Sequence, residues 1–180
     1  IREAESLDDV HAYYQVYLQA FREFGTPPYG PTYFPEVWNR IRPIKGVRLL
    51  IAEVEGRCVG GRVLYCWGRN LINKFTTCTS EAVPLRAYPA LYGRAMQLGV
   101  DEGFRSMNWG TAARHQTGLI EFKERWGAIG RPVVFYTFAR RGQVPSIERY
   151  YDSEGIERRA WRHLPLSATR VMGTWLSKWF

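Results

Sequence analysis

Apolar residues recur at helical spacing from Leu7 to Phe24, with Val10, Tyr14, Tyr17, Leu18 and Phe21 sharing one stripe. Ser6, with Asp9 three residues on, supplies a helix start and Gly25 a stop. Three prolines and a glycine around Tyr29 make Thr26 to Pro31 a stiff loop, after which Tyr33 to Ile41 reads as a shorter helix through Phe34, Val37 and Trp38. The period then changes. Val47 to Val54 is apolar enough for a buried strand, Glu55-Gly56 is a turn, and Arg57 to Trp67 continues as a second strand with Gly60-Gly61 inside it. Paired glycines within a strand predict a bulge or a close backbone contact. Gly68-Arg69-Asn70 turns the chain again, and Leu71 to Thr79 alternates as the third strand of an antiparallel meander.

Beyond the loop from Ser80 to Ala87, Pro89 suits a first helical turn, and Leu91, Ala95, Met96 and Leu98 carry a helix to Gly103. A strand over Phe104 to Trp109, a helix over Thr117 to Trp126 and a strand over Pro132 to Ala139 follow. A helix joining two strands predicts a crossover, hence a parallel pair on this side of the sheet. The expected fold class is α+β: a central, mixed, mostly antiparallel sheet with helices on both faces, plus a C-terminal amphipathic helix. Residues 1–145 form the domain and 146–180 a basic, helical extension packed on it. In that extension Arg158, Arg159, Arg162 and His163 cluster, and Leu164, Ala168, Val171, Met172, Trp175, Leu176 and Trp179 share a stripe. The stripe is expected to dock on its own domain; a membrane surface, a second protomer or a preceding domain are the other occupants it admits.

A chain of 180 residues is one domain by length. It starts at Ile1 on residues that lead straight into a capped helix, which fits a piece of a longer, two-domain protein. A net charge of +8 favours anionic partners such as nucleotides, tRNA or an acidic membrane face, but the basic residues are dispersed and match no duplex-reading motif, so duplex DNA is not expected. Cys58, Cys66 and Cys78 all lie in strand-like runs, as small buried thiols do in a reducing compartment. The three histidines lie far apart and no pair has ligand spacing, so no metal is expected. Nothing approaches the length of a membrane-spanning helix. The expected location is cytoplasmic, with peripheral contact to the inner membrane face admitted by the tail.

Met107-Asn108-Trp109-Gly110-Thr111 followed by Phe122-Lys123-Glu124-Arg125-Trp126-Gly127 carries the chemistry. Phe122 and Trp126, four residues apart, place Lys123 by apolar packing while its ammonium stays free to reach into a cleft. The element order over roughly residues 1 to 140 resembles that of the GNAT acyltransferases. The turn at Asn108-Trp109-Gly110-Thr111 and the Phe122-Lys123-x-x-Trp126-Gly127 helix resemble the Fem-type branch of that superfamily, and Trp161-Arg162-His163-Leu164-Pro165-Leu166 is similar to the tail of Fem-related proteins. The resemblance implies transfer of an acyl or aminoacyl group to an amine of a cell-envelope precursor or amino-sugar conjugate. Acetyl-CoA or another acyl-CoA is the implied donor, and aminoacyl-tRNA the alternative. Such proteins usually carry two of these domains, so a dimer or a missing N-terminal domain is an expected partner.

Acyl transfer to an amine needs a neutral amine, a carbonyl held close to it, and donors facing the oxyanion that forms. Lys123 is the candidate cation. Tyr136 and Tyr65 could protonate or position a leaving group, Glu81 could deprotonate the amine, and His115, in a polar loop, could act as a base. Asn108, Thr111 and Arg114 are candidates for holding the acceptor. Where the GNAT pattern cradles the pyrophosphate of coenzyme A with glycines, this chain has Arg86-Ala87-Tyr88-Pro89-Ala90-Leu91. It keeps the leading arginine and replaces the glycines, leaving fewer free amides at the helix start. Cys78 is read as a buried thiol, not a nucleophile. The other class of reading is a catalytically silent GNAT-like module that binds an anionic partner or supports another domain.

Overall fold

The computed structural model describes residues 1–136, 138 and 156–176. A two-residue strand, β1 (Arg2–Glu3), precedes helix α1 (Leu7–Glu23) and helix α2 (Tyr33–Ile41). The start of α1 is a full capping box: the Asp9 amide donates to the Ser6 hydroxyl, and the Asp9 carboxylate accepts from the Ser6 amide. Strands β2 (Val47–Val54), β3 (Arg57–Trp67) and β4 (Asn70–Cys78) form the expected meander, and α3 (Ala87–Asp101) crosses to β5 (Ser106–Asn108). The sheet order is β1-β2-β3-β4-β5, antiparallel up to β4 and parallel between β4 and β5, as the helical crossover requires. Helix α4 (Thr117–Arg125) follows, then α5 (Ile156–Arg162) and α6 (Leu166–Leu176).

Each face of the sheet buries its own core. Tyr13, Tyr14 and Tyr17 of α1 and Phe34 and Trp38 of α2 pack on Val47, Leu49, Ile51 and Val63. On the opposite face Leu91, Ala95 and Leu98 of α3 pack on Leu50, Leu64, Leu71 and Cys78. Both expectations for the paired glycines hold. Val59 is the extra residue of a bulge, since Ala52 faces Gly60 while Glu53 faces Cys58. Gly61 lets the Tyr13 ring lie against the backbone: a methyl group there would collide with that ring and come within 2.9 Å of the Leu50 carbonyl oxygen. The Thr77 hydroxyl donates to the Tyr13 hydroxyl at 3.2 Å, tying α1 to β4 from the same side.

One expectation is corrected and a second holds in part. Residues 132–136 form no strand; Val133, Val134, Phe135 and Tyr136 are all more than half exposed. β5 pairs over only three residues, and Pro132 brings no amide donor, so little ladder is available for another strand to extend. Thr137 and Ala139, the boundary at 145/146 and Trp179 lie outside the described residues. In the tail, α6 docks on the domain as expected but most closely through Thr169 and Gly173; of the apolar stripe Leu164, Ala168 and Leu176 are half-buried, whereas Val171, Met172 and Trp175 are exposed. Gly173 decides this: a Cβ there would meet Pro28 at 2.6 Å, so the smallest residue permits the closest approach. Among the described residues no helix is long and apolar enough to cross a membrane.

Candidate functional site

The β4–β5 ladder runs from Asn70–Ser106 to Ile72–Asn108 and stops, while β4 continues to Cys78. Among the described residues the far half of β4 thus presents an unpaired edge. Lys74 is an extra residue in β4, since Val63 faces Phe75 and Leu64 faces Asn73, and this second bulge bends the strand where the two strands part. The Thr79 amide donates to the Val59 carbonyl, so by alternation Thr77 also points at β3 and the backbone groups of Thr76 and Cys78 point outward.

The start of α3 closes one end of this cleft. Arg86 caps the helix in the left-handed region with φ 59°, uncommon for a residue with a Cβ, and its side chain is exposed. Pro89 has no amide to offer, so the free donors at this helix start are the amides of Ala87 and Tyr88. The Tyr88 side chain turns back to β4. Burial pushes its hydroxyl up to about 12, the neighbouring Cys78 thiol adds to this, and a hydrogen bond with the Cys78 backbone pulls the other way. The Cys78 thiol is itself pushed up to about 12 by burial, which makes it a packed apolar group and not a nucleophile at neutral pH.

An aromatic cluster covers the cleft beside β5. Tyr92 of α3 stacks on Trp109 with ring centroids 4.6 Å apart, and Phe122 of α4 and Trp126, which directly follows that helix, close around them. Beneath it lies Arg62 of β3. Its side chain is wholly buried, its guanidinium sits 3.7 Å from the Tyr92 ring centre and 5.8 Å from that of Trp109, and none of its nitrogens has a hydrogen-bond partner. Burial lowers its pKa to about 10, opposed by the Tyr92 phenol.

Lys123 is not free to reach into the cleft, as its flanking aromatics had implied. Its Nζ donates to the carbonyls of Gly110 at 3.0 Å and Thr111 at 3.1 Å, and desolvation lowers its pKa. Asn108 completes the same turn by accepting from the Gly110 amide at 2.8 Å, with Gly110 at φ 72°. Asn108, Thr111 and Lys123 are thus brought together, but as a brace that holds Trp109 in place.

The other expected residues scatter. Arg86, Tyr88, Pro89, Ala90 and Leu91 do form one helix start, although Leu91 is fully buried and serves the core. Tyr65 lies on the α1–α2 side of the sheet, where its hydroxyl is 2.9 Å from that of Tyr33; the period of two places it on the face opposite α3. Tyr136 is 80% exposed and outside any strand. Glu81 lies in the short 3-10 turn Ser80–Ala82 at the end of β4, and it, Arg114 and His115 are exposed. Neither Arg62 nor Tyr92 is among the residues that the sequence motifs single out, and Trp109 enters there only as part of the turn motif. The signal for Arg62 was present: an arginine between Gly61 and Val63 in an otherwise apolar strand has nowhere to snorkel.

The family model for the acetyltransferase (GNAT) domain matches residues 1–124. Solved structures share the fold at low identity. An aminoglycoside acetyltransferase from an uncultured soil metagenomic sample, in complex with sisomicin, is 13% identical with a TM-score of 0.60 over 77% of this chain and 95% of its own. The aminoglycoside acetyltransferase AAC(6')-Iy, in complex with a bisubstrate analogue of coenzyme A, is 14% identical with a TM-score of 0.58 over 77% and 96%. A ribosomal-protein-alanine N-acetyltransferase from Brucella melitensis is likewise 14% identical with a TM-score of 0.58, over 77% and 100%. The curated proteins contain no significant match.

Proposed function

The chain belongs to the acetyltransferase (GNAT) domain family, and from that premise we propose that it transfers an acyl group from an acyl-coenzyme A to the amine of a small substrate. The observation that carries this reading is the unpaired edge of β4 facing the start of α3. An extended ligand with amide groups can add to such an edge as a strand would. The residues present fit coenzyme A: Arg86 and the Ala87 and Tyr88 amides would hold its phosphates, and the outward groups of Thr76 and Cys78 its extended arm. When bound, it supplies a thioester carbonyl open to attack by an amine. Glu81, directly after β4, is the candidate to take the proton from the acceptor ammonium, itself or through water. The acceptor is proposed to be an amino-sugar conjugate or a cell-envelope precursor; aminoglycoside enzymes among the structural relatives favour the former.

A silent binding module is the second reading, favoured by the Tyr92–Trp109–Phe122–Trp126 cluster that fills the space beside β5. Calorimetric titration with acetyl-CoA separates the two. The Thr76 amide lies outside the β3–β4 ladder, so Thr76→Pro should preserve the fold while weakening acetyl-CoA binding; Arg86→Ala should weaken it through the phosphates. Saturable binding to the wild type, reduced at least about tenfold in either variant, supports transfer from an acyl-CoA. A wild type that binds no acetyl-CoA refutes it and leaves aminoacyl-tRNA or the silent module.

A further inference from the structure

Arg62 is the one wholly buried charged side chain among the described residues. All three of its nitrogens lack hydrogen-bond partners, and none of the ion pairs among the described residues involves it. A buried charge in that state is costly, and natural structures match such charges with a counter-ion or a ligand. Arg62 faces the α3 side of the sheet, opposite Thr76 across the ladder. Its guanidinium lies 5.8 Å from the ring centre of Trp109, the residue that directly follows the last β4–β5 pair, Ile72–Asn108. Tyr92 contacts the cation through its ring face and its phenol lies beside the guanidinium short of good hydrogen-bond geometry, so no carboxylate or carbonyl engages the N–H fork.

We propose that Arg62 is a specificity-determining residue that binds a carboxylate of the substrate, carried either at the far end of the transferred acyl group or on the acceptor amine. The proposal rests on the acyl-transfer reading above. A planar carboxylate fits a fork already held over a flat ring, accepting two parallel hydrogen bonds in the guanidinium plane. The Tyr92–Trp109 lid keeps water from competing for those donors. Acetyl transfer alone would leave Arg62 unpaired, whereas a dicarboxylic acyl group or an amino-acid acceptor would complete it.

The test compares wild type, Arg62→Met and Arg62→Lys, with folding of each checked by circular dichroism. Calorimetry with acetyl-CoA and succinyl-CoA should show succinyl-CoA binding about tenfold or more tightly to wild type, with the preference lost in Arg62→Met and weakened in Arg62→Lys; that places the carboxylate on the donor. If the two donors bind alike, thermal stabilisation of wild type but not Arg62→Met by free amino acids, and not by the corresponding amines, places it on the acceptor. Stabilisation by succinate over chloride, dependent on Arg62, would support the carboxylate site even if no coenzyme A ester bound, in which case only the acyl-CoA reading would fail. Equal responses of wild type and Arg62→Met to every carboxylate overturn the proposal.

Discussion

Replacing the most deeply buried charge with an apolar side chain should make the ligand-free protein more stable. Arg62 is fully inaccessible, and burial lowers its pKa from 12.5 to about 10. At 1.36 kcal/mol per tenfold change, that drop corresponds to roughly 3 kcal/mol by which folding disfavours the cation. The charge is present on both sides of folding at neutral pH, so this cost acts in full. The Tyr92 ring at 3.7 Å returns up to about 2 kcal/mol as a cation–π contact. Methionine fills a similar volume, leaves no polar atom to satisfy, and regains a sulfur–aromatic contact of about 0.5 kcal/mol with Tyr92 or Trp109. Arg62→Met should therefore gain about 1–2 kcal/mol, or roughly 3–6 °C in Tm for a chain of this size. Arg62→Ala should show no such gain, because the emptied space forfeits packing. Urea unfolding followed by far-ultraviolet circular dichroism measures both. A loss of more than about 1 kcal/mol in Arg62→Met, with an unchanged m-value, would refute the view that the guanidinium is unpaired in the free protein.

Three further outcomes follow from the same geometry. Gly61→Ala should cost about 1–3 kcal/mol in urea unfolding, since the new methyl meets the Tyr13 ring and the Leu50 carbonyl oxygen; a neutral effect would mean α1 can slide away from β3. Asp9 is held well below the usual carboxylate range, chiefly by its hydrogen bonds to Arg2. Its contribution is therefore complete above about pH 4 and fades as pH falls through the lower folded value, so wild type should lose about 1–2 kcal/mol more than Asp9→Asn between pH 5 and pH 2.5 in parallel urea titrations. Lys123→Met removes the brace on Gly110 and Thr111, and hydrogen exchange of amides 110–112 should quicken by about fivefold or more while the α1 amides stay unchanged; equal protection would show that the turn holds without it.

Sequence by itself determined the parts whose physics is local. The capping box at Ser6 and Asp9, the helix over Tyr33–Ile41, the meander with its turns at Glu55-Gly56 and Gly68-Arg69, and the glycine pair that admits Tyr13 are all periodicity, turn chemistry or small-residue placement. The resemblance carried by element order led to the right superfamily fold for the same reason. Tertiary structure decided what depends on how far a ladder extends and which groups meet across it. The apolar run from Val133 to Phe135 has the composition of a strand, but β5 pairs over too few residues to carry another. Lys123 is spaced for a cleft, yet two carbonyls thirteen and twelve residues earlier in the chain claim its ammonium. Tyr65 and Arg62, three residues apart on one strand, are sent to opposite faces by the period of two. The charge that matters most for the cleft is therefore an arginine that reads, in one dimension, as an interruption of a hydrophobic strand. Only the folded sheet places it beneath Tyr92 and Trp109, because those partners lie 30 and 47 positions further along the chain.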